Sequence, residues 1–157
     1  FAHTPLPRPL DAAEAFFWLL DRHSVMNFAV IAEGHGPLSK RNAAALPALQ
    51  HRHPLLSAGI AGGAQQALHF YPDATPATVT VQTSDAENWR TLLAKHIVTP
   101  FPLGSAPLFR VHLFMLPEQH WVLAINFHHS IGDARSGYTV LRELFAVLDG
   151  QDIGGAI

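Results

Sequence analysis

The sequence predicts an α/β fold, a two-layer sandwich in which helices cover a mixed β-sheet. Helical and strand patterns alternate along the chain in the order α-β-α-β-β-β-α-β-β-α, which is typical of an α/β layer. Hydrophobic residues make up 48% of the chain and charged residues only 14%, so the chain has the composition of a folded protein. Its 157 residues are enough for one domain with a sizeable core.

The first three elements are two helices on either side of a strand. Leu10 to His23 predicts an amphipathic helix, because Asp11 is placed to cap its start and Glu14 follows three residues later, as in a capping box. Val25 to Ala32 is an apolar, β-branched run that indicates a strand. Ser39 to His51 is rich in Ala and Leu and predicts a second helix with the serine as its N-cap.

The middle of the chain predicts three short strands and a helix. Leu55 to Ile60 and Gln66 to Tyr71 flank the pair Gly62-Gly63, a pattern that indicates a β-hairpin. Val79 to Gln82 is a further short strand. Glu87 to Val98 then has the spacing of a helix.

The last third predicts a strand pair followed by a helix. After a loop rich in proline and glycine, Leu108 to Leu116 and His120 to Phe127 indicate a second hairpin. The segment Trp121 to Phe127 is almost wholly apolar, so we expect it to lie centrally in the sheet. Ala134 to Leu148 carries apolar residues at helical spacing.

Composition excludes several classes of function. The net charge is -2 and no basic block is present, so the chain lacks the positive surface that binds a nucleic-acid backbone. No apolar run approaches the length of a membrane span, and we expect a cytoplasmic protein by default. The chain has no cysteine, which removes disulfides, thiolate metal sites and cysteine nucleophiles.

The densest polar cluster follows the most apolar strand. His128, His129 and Asp133 lie in the segment His-His-Ser-Ile-Gly-Asp, between that strand and the last helix. Catalytic groups collect in such loops because the strand holds the loop while the loop stays open to substrate. The plainer interpretation is a pair of hydrogen-bonded histidines at a strand end.

The segment His128-His129-x-x-x-Asp133 resembles the HHxxxDG signature of the chloramphenicol-acetyltransferase-like acyltransferase superfamily. That superfamily includes the condensation domains of nonribosomal peptide synthetases and the polyketide-associated acyltransferases of the phthiocerol type. Three further stretches resemble family segments in the same order: Pro9 to Trp18, His51 to Leu56, and Phe101 to Arg110.

The resemblance implies a role for each residue of the motif. His129 is the general base that deprotonates an alcohol or amine as it attacks an acyl thioester, which suits an imidazole because its pKa lies near working pH. His128 shapes the loop. Asp133 is structural: it pairs with an arginine and also caps the helix that begins at Ala134. The nearby arginines that qualify as its partner are Arg110, Arg135 and Arg142, and an arginine outside this segment of chain is an equal candidate.

The resemblance also implies the co-substrates and partners. The donor is acyl-CoA or a phosphopantetheinyl thioester, the acceptor is an alcohol or an amine, and no permanent cofactor or metal is needed. Alcohol acylation is preferred to peptide-bond formation. Residues 1–149 correspond to the N-terminal lobe of a two-lobed acyltransferase and residues 150–157 to the start of a linker. The site would be completed by a second lobe, and the isolated chain would self-associate through its uncovered face.

Two alternatives stay open at this point. The first is a non-catalytic, condensation-like lobe that binds or docks partners, which is favoured by Ala134 because the family has glycine there. The second is a metal site, because His129 and Asp133 are four residues apart and His51 and His53 form a His-x-His pair. His51 and His53 are more simply interpreted as solvated residues near the end of a helix.

Overall fold

The computed structural model describes residues 5–37, 45–63, 67–102, 104–155 and 157, and its strands form two sheets. The four-stranded sheet has the order β2 (Asn27–His35), β7 (His120–His128), β6 (Phe109–Met115) and β5 (Val79–Thr83). The three-stranded sheet has the order β1 (Arg8–Pro9), β4 (His69–Pro72) and β3 (Ala58–Ala61). The helices are α1 (Ala12–Asp21), α2 (Ala45–Arg52), α3 (Trp89–Ile97) and α4 (Ala134–Leu148).

Strand β7 is the centre of the larger sheet, as its apolar sequence predicts. It pairs antiparallel with β2 on one side, from Asn27 opposite His128 to His35 opposite His120, and antiparallel with β6 on the other. The pairing of β5 with β6 is parallel, so the sheet is mixed. Every residue of β7 from Trp121 to His128 is buried.

Helices cover both faces of this sheet. Alternate residues of β6 and β7 point to opposite faces, because successive side chains of a strand do so. On one face Trp89 and Leu93 of α3 pack with Phe114, Val122 and Ala124. The opposite face meets α4 and carries the larger core, with the strand residues Val30, Phe109, Val111, Leu123, Ile125 and Phe127. Among the described residues, no helix is both long and apolar enough to cross a membrane.

The predicted α/β class is confirmed, and the predicted elements occur in the expected order, but β1 was not predicted and the strands form two sheets instead of one. The sequence places the start of a strand at Leu55, whereas Pro54–Ser57 forms a 3-10 turn and the strand begins at Ala58. Pro54 fixes its own φ near a helical value, which favours a turn at that point. The hairpin that joins β3 to β4 is present, although Gln66 lies outside the described residues. Ser39, the predicted cap of α2, also lies outside them.

The start of α1 has the predicted capping box. The Asp11 side chain accepts from the Glu14 N–H at 2.8 Å, and the Glu14 carboxylate accepts from the Asp11 N–H at 2.7 Å. Arg8 of β1 adds a paired hydrogen bond to the same carboxylate, at 2.7 and 2.8 Å. Helix α1 is thereby tied to the smaller sheet, with its other end directed toward the end of β7.

The prediction that His53 is solvated is wrong. Its side chain is only 2% exposed, and its Nε2 lies 2.5 Å from Oε2 of Glu143 on α4, whose other oxygen accepts from Arg52 at 2.9 Å. Burial lowers the pKa of His53 below its ordinary value, while Glu143 opposes the shift. The segment after α2 is therefore a buried link to α4, and the sequence shows no sign of this because Glu143 is ninety residues away in the chain.

Gly137 lets α4 approach the larger sheet closely. A Cβ at this position would lie 2.9 Å from Val30 Cγ1 and 3.1 Å from Phe28 Cε2. Contacts this short force the neighbours to move, and Val30 is held in the core with 3% exposure. The small residue therefore sets the distance between α4 and β2.

Gly137→Val is expected to lower the free energy of unfolding by about 1–3 kcal/mol, because the added side chain overpacks the contact with β2. Urea unfolding followed by circular dichroism measures the change. Tyr138→Val on the same helix, at a side chain that is 62% exposed, is the control for helix propensity and is expected to cost only a few tenths of a kcal/mol. Equal losses in the two variants would contradict the packing argument.

A second buried histidine lies beneath α3, away from the predicted site. His112 of β6 is 3% exposed and stacks on His96 of α3, with ring centroids 4.2 Å apart. Burial is the main cause that lowers the pKa of His112 to about 4, and the nearby His96 and Arg110 act in the same direction. The folded protein therefore holds this ring neutral at a pH where the unfolded chain would protonate it.

The unfolded chain binds the proton of His112 near pH 6.5 and the folded protein only near pH 4, so stability is expected to fall as the pH drops through this window. Replacing the ring in His112→Phe should make the dependence on pH shallower between pH 6.5 and 4. Urea unfolding at several pH values measures this, with His35→Phe at an exposed residue as the control. A slope that His112→Phe leaves unchanged would contradict the assignment.

Candidate functional site

The predicted cluster occupies the turn that joins the central strand to α4. His128 is the last residue of β7, and His129–Ile131 forms one turn of 3-10 helix. Asp133 then caps α4, which begins at Ala134. The chain leaves the buried strand and enters a helix within five residues, so these side chains are held by elements on both sides of the turn.

The imidazole of His129 is fixed between two aromatic rings. Its ring centroid is 4.7 Å from that of Phe17 on α1, in a stacked arrangement, and 4.5 Å from that of Phe28 on β2. Its backbone N–H donates to the carbonyl of Met26 at 2.8 Å. The ring is half-buried, so both its position and its solvent contact are restricted.

This environment favours the neutral form of the ring. Burial lowers the pKa of His129 below its ordinary value of 6.5, and a hydrogen bond with the Gly132 backbone and the charge of Asp133 oppose the shift. A neutral imidazole carries a lone pair on one ring nitrogen, as a general base requires.

His129 faces a cleft of about 320 Å³. Helix α1 forms one wall of the cleft, and the turn with the start of α4 forms the other. The residues that line it with His129 are Asp11, Ala13, Glu14, Phe17, Ser130, Ile131, Gly132, Asp133 and Ser136. A half-buried imidazole in contact with an open cleft is able to reach a bound molecule.

His128 has a different environment from its neighbour, because it is fully buried. Its Nδ1 accepts a hydrogen bond from the Ser130 N–H at 2.9 Å, and its Nε2 lies 3.5 Å from Oδ2 of Asp21. Burial lowers the pKa of His128, while Asp21 opposes the shift. The ring is not among the residues that line the cleft, and its supporting role stays a prediction.

Asp133 is exposed and lies on the cleft beside His129. Its carboxylate accepts from the Ser136 N–H at 2.9 Å, and this hydrogen bond holds the pKa of Asp133 below its ordinary value. The predicted cap is therefore present, and Ala134 adopts ordinary helical backbone. Within the described part of the chain, no arginine lies within 4 Å of this carboxylate. Arg110, one of the three predicted partners, donates instead to the carbonyls of Thr99 and Pro100.

Sequence reasoning missed three residues that hold the pair of histidines. Phe17 and Phe28 enclose His129, and Asp21 faces His128. Each lies about a hundred residues from the motif, and nothing in its spacing connects it to the histidines. The structure adds no ligands to the metal site that the sequence left open. The described residues contain no group of three or more His, Asp or Glu placed to hold an ion.

Comparison with known protein families agrees with this geometry. A family model for the condensation domain matches residues 16–154, which include the second part of α1, the four strands of the larger sheet and the histidine turn. The chain therefore belongs to the condensation-domain family.

The curated relatives that resemble the chain are large synthetases. Cyclosporin synthetase simA of Tolypocladium inflatum is 31% identical over 153 residues, which cover 89% of this chain and 1% of that protein. Phosphinothricin tripeptide synthetase PhsC of Streptomyces viridochromogenes is 29% identical over 160 residues, which cover 94% of this chain and 15% of that protein. The chain thus spans a small part of either relative.

Among solved structures, the X-domain from teicoplanin biosynthesis matches with a TM-score of 0.82 and 28% identity, over 97% of this chain and 35% of that one. The complex of this X-domain with OxyB matches with a TM-score of 0.79 and 26% identity, over 98% of this chain and 36% of that one. The chain therefore has the fold of about one third of these proteins.

Removing one of the two enclosing rings is expected to raise the pKa of His129. Phe28→Ala exposes one face of the imidazole to water, which weakens the desolvation that lowers the pKa. NMR titration of the histidine ring protons measures the value in each protein. Phe16→Ala, at a neighbouring side chain that is 57% exposed, is the control and is expected to leave the value unchanged. A wild-type pKa above 6.5, or one that Phe28→Ala leaves unchanged, would contradict this account.

Proposed function

We propose that this chain is the histidine-bearing, N-terminal lobe of a condensation-type acyltransferase, with His129 as the general base. The observation that carries the proposal is the half-buried imidazole of His129 that faces a cleft at the end of the central strand, and burial lowers its pKa in the direction of the neutral form. The family to which the chain belongs supports the same class of reaction.

The reaction needs one proton acceptor and two substrates. The acceptor nucleophile attacks the carbonyl carbon of an acyl thioester, so a bond from carbon to the nucleophile forms and the carbon–sulfur bond breaks. The lone pair of His129 takes the proton from the nucleophile and then gives it to the departing thiolate. The thiol released is coenzyme A or the phosphopantetheine of a carrier protein, and the reaction needs neither metal nor covalent acyl-enzyme.

The relatives favour an amine as the acceptor. One of them is by name a tripeptide synthetase, and a peptide bond forms when an amine is acylated, whereas the sequence motifs alone favour alcohol acylation. We therefore assign amide-bond formation as the first reaction to test and O-acylation as the second.

Residues 1–149 form the first lobe in this proposal, and residues 150–157 begin the connection to a second lobe. Phe16 and Leu19 on α1 are more than half exposed, and so is Tyr138 on α4. Exposed apolar side chains near a cleft are typical of a surface that another lobe or a second copy covers. Self-association of the isolated chain is expected on the same ground.

A non-catalytic docking lobe is the second candidate. The X-domain from teicoplanin biosynthesis, which this chain resembles at 28% identity, has been solved in a complex with OxyB. That similarity supports a lobe of this fold that recruits another protein.

His129→Ala is expected to lower kcat at least about 100-fold, because a positioned base contributes about 10²- to 10⁴-fold to such a reaction. The assay uses the protein as encoded, including any residues after Ile157, with acyl-CoA and acyl-pantetheine donors and with amine and alcohol acceptors. Thiol release gives the rate and mass spectrometry identifies the product. His120→Ala, at the far end of the same strand, is the matched control.

Unchanged turnover in His129→Ala would show that this residue is not the base. A folded wild-type protein that binds an acyl-pantetheine donor without turning it over would favour the docking lobe.

A further inference from the structure

Asp21 lies at the end of α1, where its carboxylate contacts Met26, just before β2, and His128, at the end of β7. We propose that Asp21 is a positioning residue for His129. It acts by holding the backbone of Met26 in place and by fixing the tautomer of His128. The inference rests on the proposed role of His129 as a base. It concerns how that base is held in place, since Asp21 does not line the cleft.

The first oxygen of Asp21 holds the backbone that anchors His129. Oδ1 accepts a hydrogen bond from the Met26 N–H at 2.8 Å, and the Met26 carbonyl accepts from the His129 N–H at 2.8 Å. The two hydrogen bonds run through a single residue, so the carboxylate fixes the segment before β2 against which the catalytic turn is placed. This link depends on Oδ1 as an acceptor and does not require a negative charge.

The second oxygen faces His128. The Nδ1 atom of His128 accepts from the Ser130 N–H, so the neutral ring carries its proton on Nε2. That Nε2 lies 3.5 Å from Oδ2 of Asp21, which is longer than a normal hydrogen bond but within the range of charge attraction. Within the described residues, no other carboxylate lies within 4 Å of His128. The negative charge therefore favours the Nε2–H tautomer.

The tautomer decides whether Nδ1 of His128 can accept the hydrogen bond from the Ser130 N–H. With the proton on Nδ1, the ring and the Ser130 N–H would be two donors facing each other, and this hydrogen bond would be lost. Ser130 is the residue after His129 in the 3-10 turn, and its hydroxyl donates to the Glu14 carbonyl of α1 at 2.9 Å. A turn released at Ser130 would shift the adjacent imidazole between its two phenylalanine rings.

Asp21→Asn separates the effects of the two carboxylate oxygens, because one acceptor oxygen is kept and the other is replaced by a donor. The amide oxygen can still accept from Met26, and the NH₂ group is then directed at His128 Nε2, where it favours a lone pair. The substitution should thus convert His128 from the Nε2–H to the Nδ1–H tautomer while the Met26 link remains. Asp21→Ala removes both links.

The test compares Asp21→Asn with Asp85→Asn in the protein as encoded. Asp85 is a matched control, because its carboxylate also caps backbone N–H groups, those of Glu87 and Asn88, at a site before α3 that is remote from the cleft. Nitrogen-15 NMR of the labelled histidines reports the tautomer of His128. Steady-state assays with an acyl-pantetheine donor report kcat and KM.

We expect Asp21→Asn to change the His128 nitrogen signature and to lower kcat about 10- to 100-fold with little change in KM, because small displacements of a catalytic group have effects of that size. Asp85→Asn should change neither. An unchanged tautomer in Asp21→Asn, or an altered tautomer with the kcat of the control, would overturn the proposal.

The nitrogen signature separates this proposal from the assignment of the base. If His129→Ala keeps its turnover, the assignment of His129 as the base is wrong. The positioning role of Asp21 then fails as well, even when Asp21→Asn alters the tautomer of His128. If His129→Ala is inactive while Asp21→Asn behaves like Asp85→Asn, only the role of Asp21 is overturned.

Discussion

The structure depends on the burial of strand β7 on both of its faces. A strand in this position must give all its backbone hydrogen bonds to neighbouring strands, which β2 and β6 supply along its length. After His120 its side chains are apolar up to Ile125, and the polar side chains of Asn126 and His128 near its end are buried. The histidine turn follows directly, at the point where the chain leaves the buried strand.

Much of this arrangement is present in the local sequence. The apolar run of β7, the cap at Asp133 and the capping box at Asp11 each depend on residues within a few positions of one another, so the pattern alone predicts them. The histidine turn is found in the same way, because His128 and Asp133 are close in the chain.

The supports of the turn depend on long-range packing and were not predictable in that way. Phe28 reaches His129 only because the register of β2 on β7 places Asn27 opposite His128. Asp21 reaches His128 only because α1 ends over the same point. The split of the strands into two sheets and the burial of His53 against Glu143 likewise follow from contacts between distant segments. A single sequence contains the residues of these contacts but not their pairing.

Electrostatics alone would not have identified the site. Burial lowers the pKa of His53, His112, His128 and His129, which are four of the chain's 11 histidines. His53 lies against a carboxylate and His112 against another imidazole. His128 is closed off from solvent. Of these four rings, His129 alone combines a lowered pKa with a place on the wall of the cleft at the end of β7. Its place on this particular cleft therefore distinguishes it from the other three.

The aromatic rings on either side of His129 also restrict the direction from which a substrate can approach. The lone pair of an imidazole nitrogen lies in the plane of the ring, and Phe17 and Phe28 both pack against this ring, the first stacked and the second tilted by 40°. A proton therefore has to arrive in the ring plane, at the edge that the two phenylalanines do not stack on. Because these contacts hold the ring, the orientation in which a molecule sits in the cleft decides whether it meets this edge.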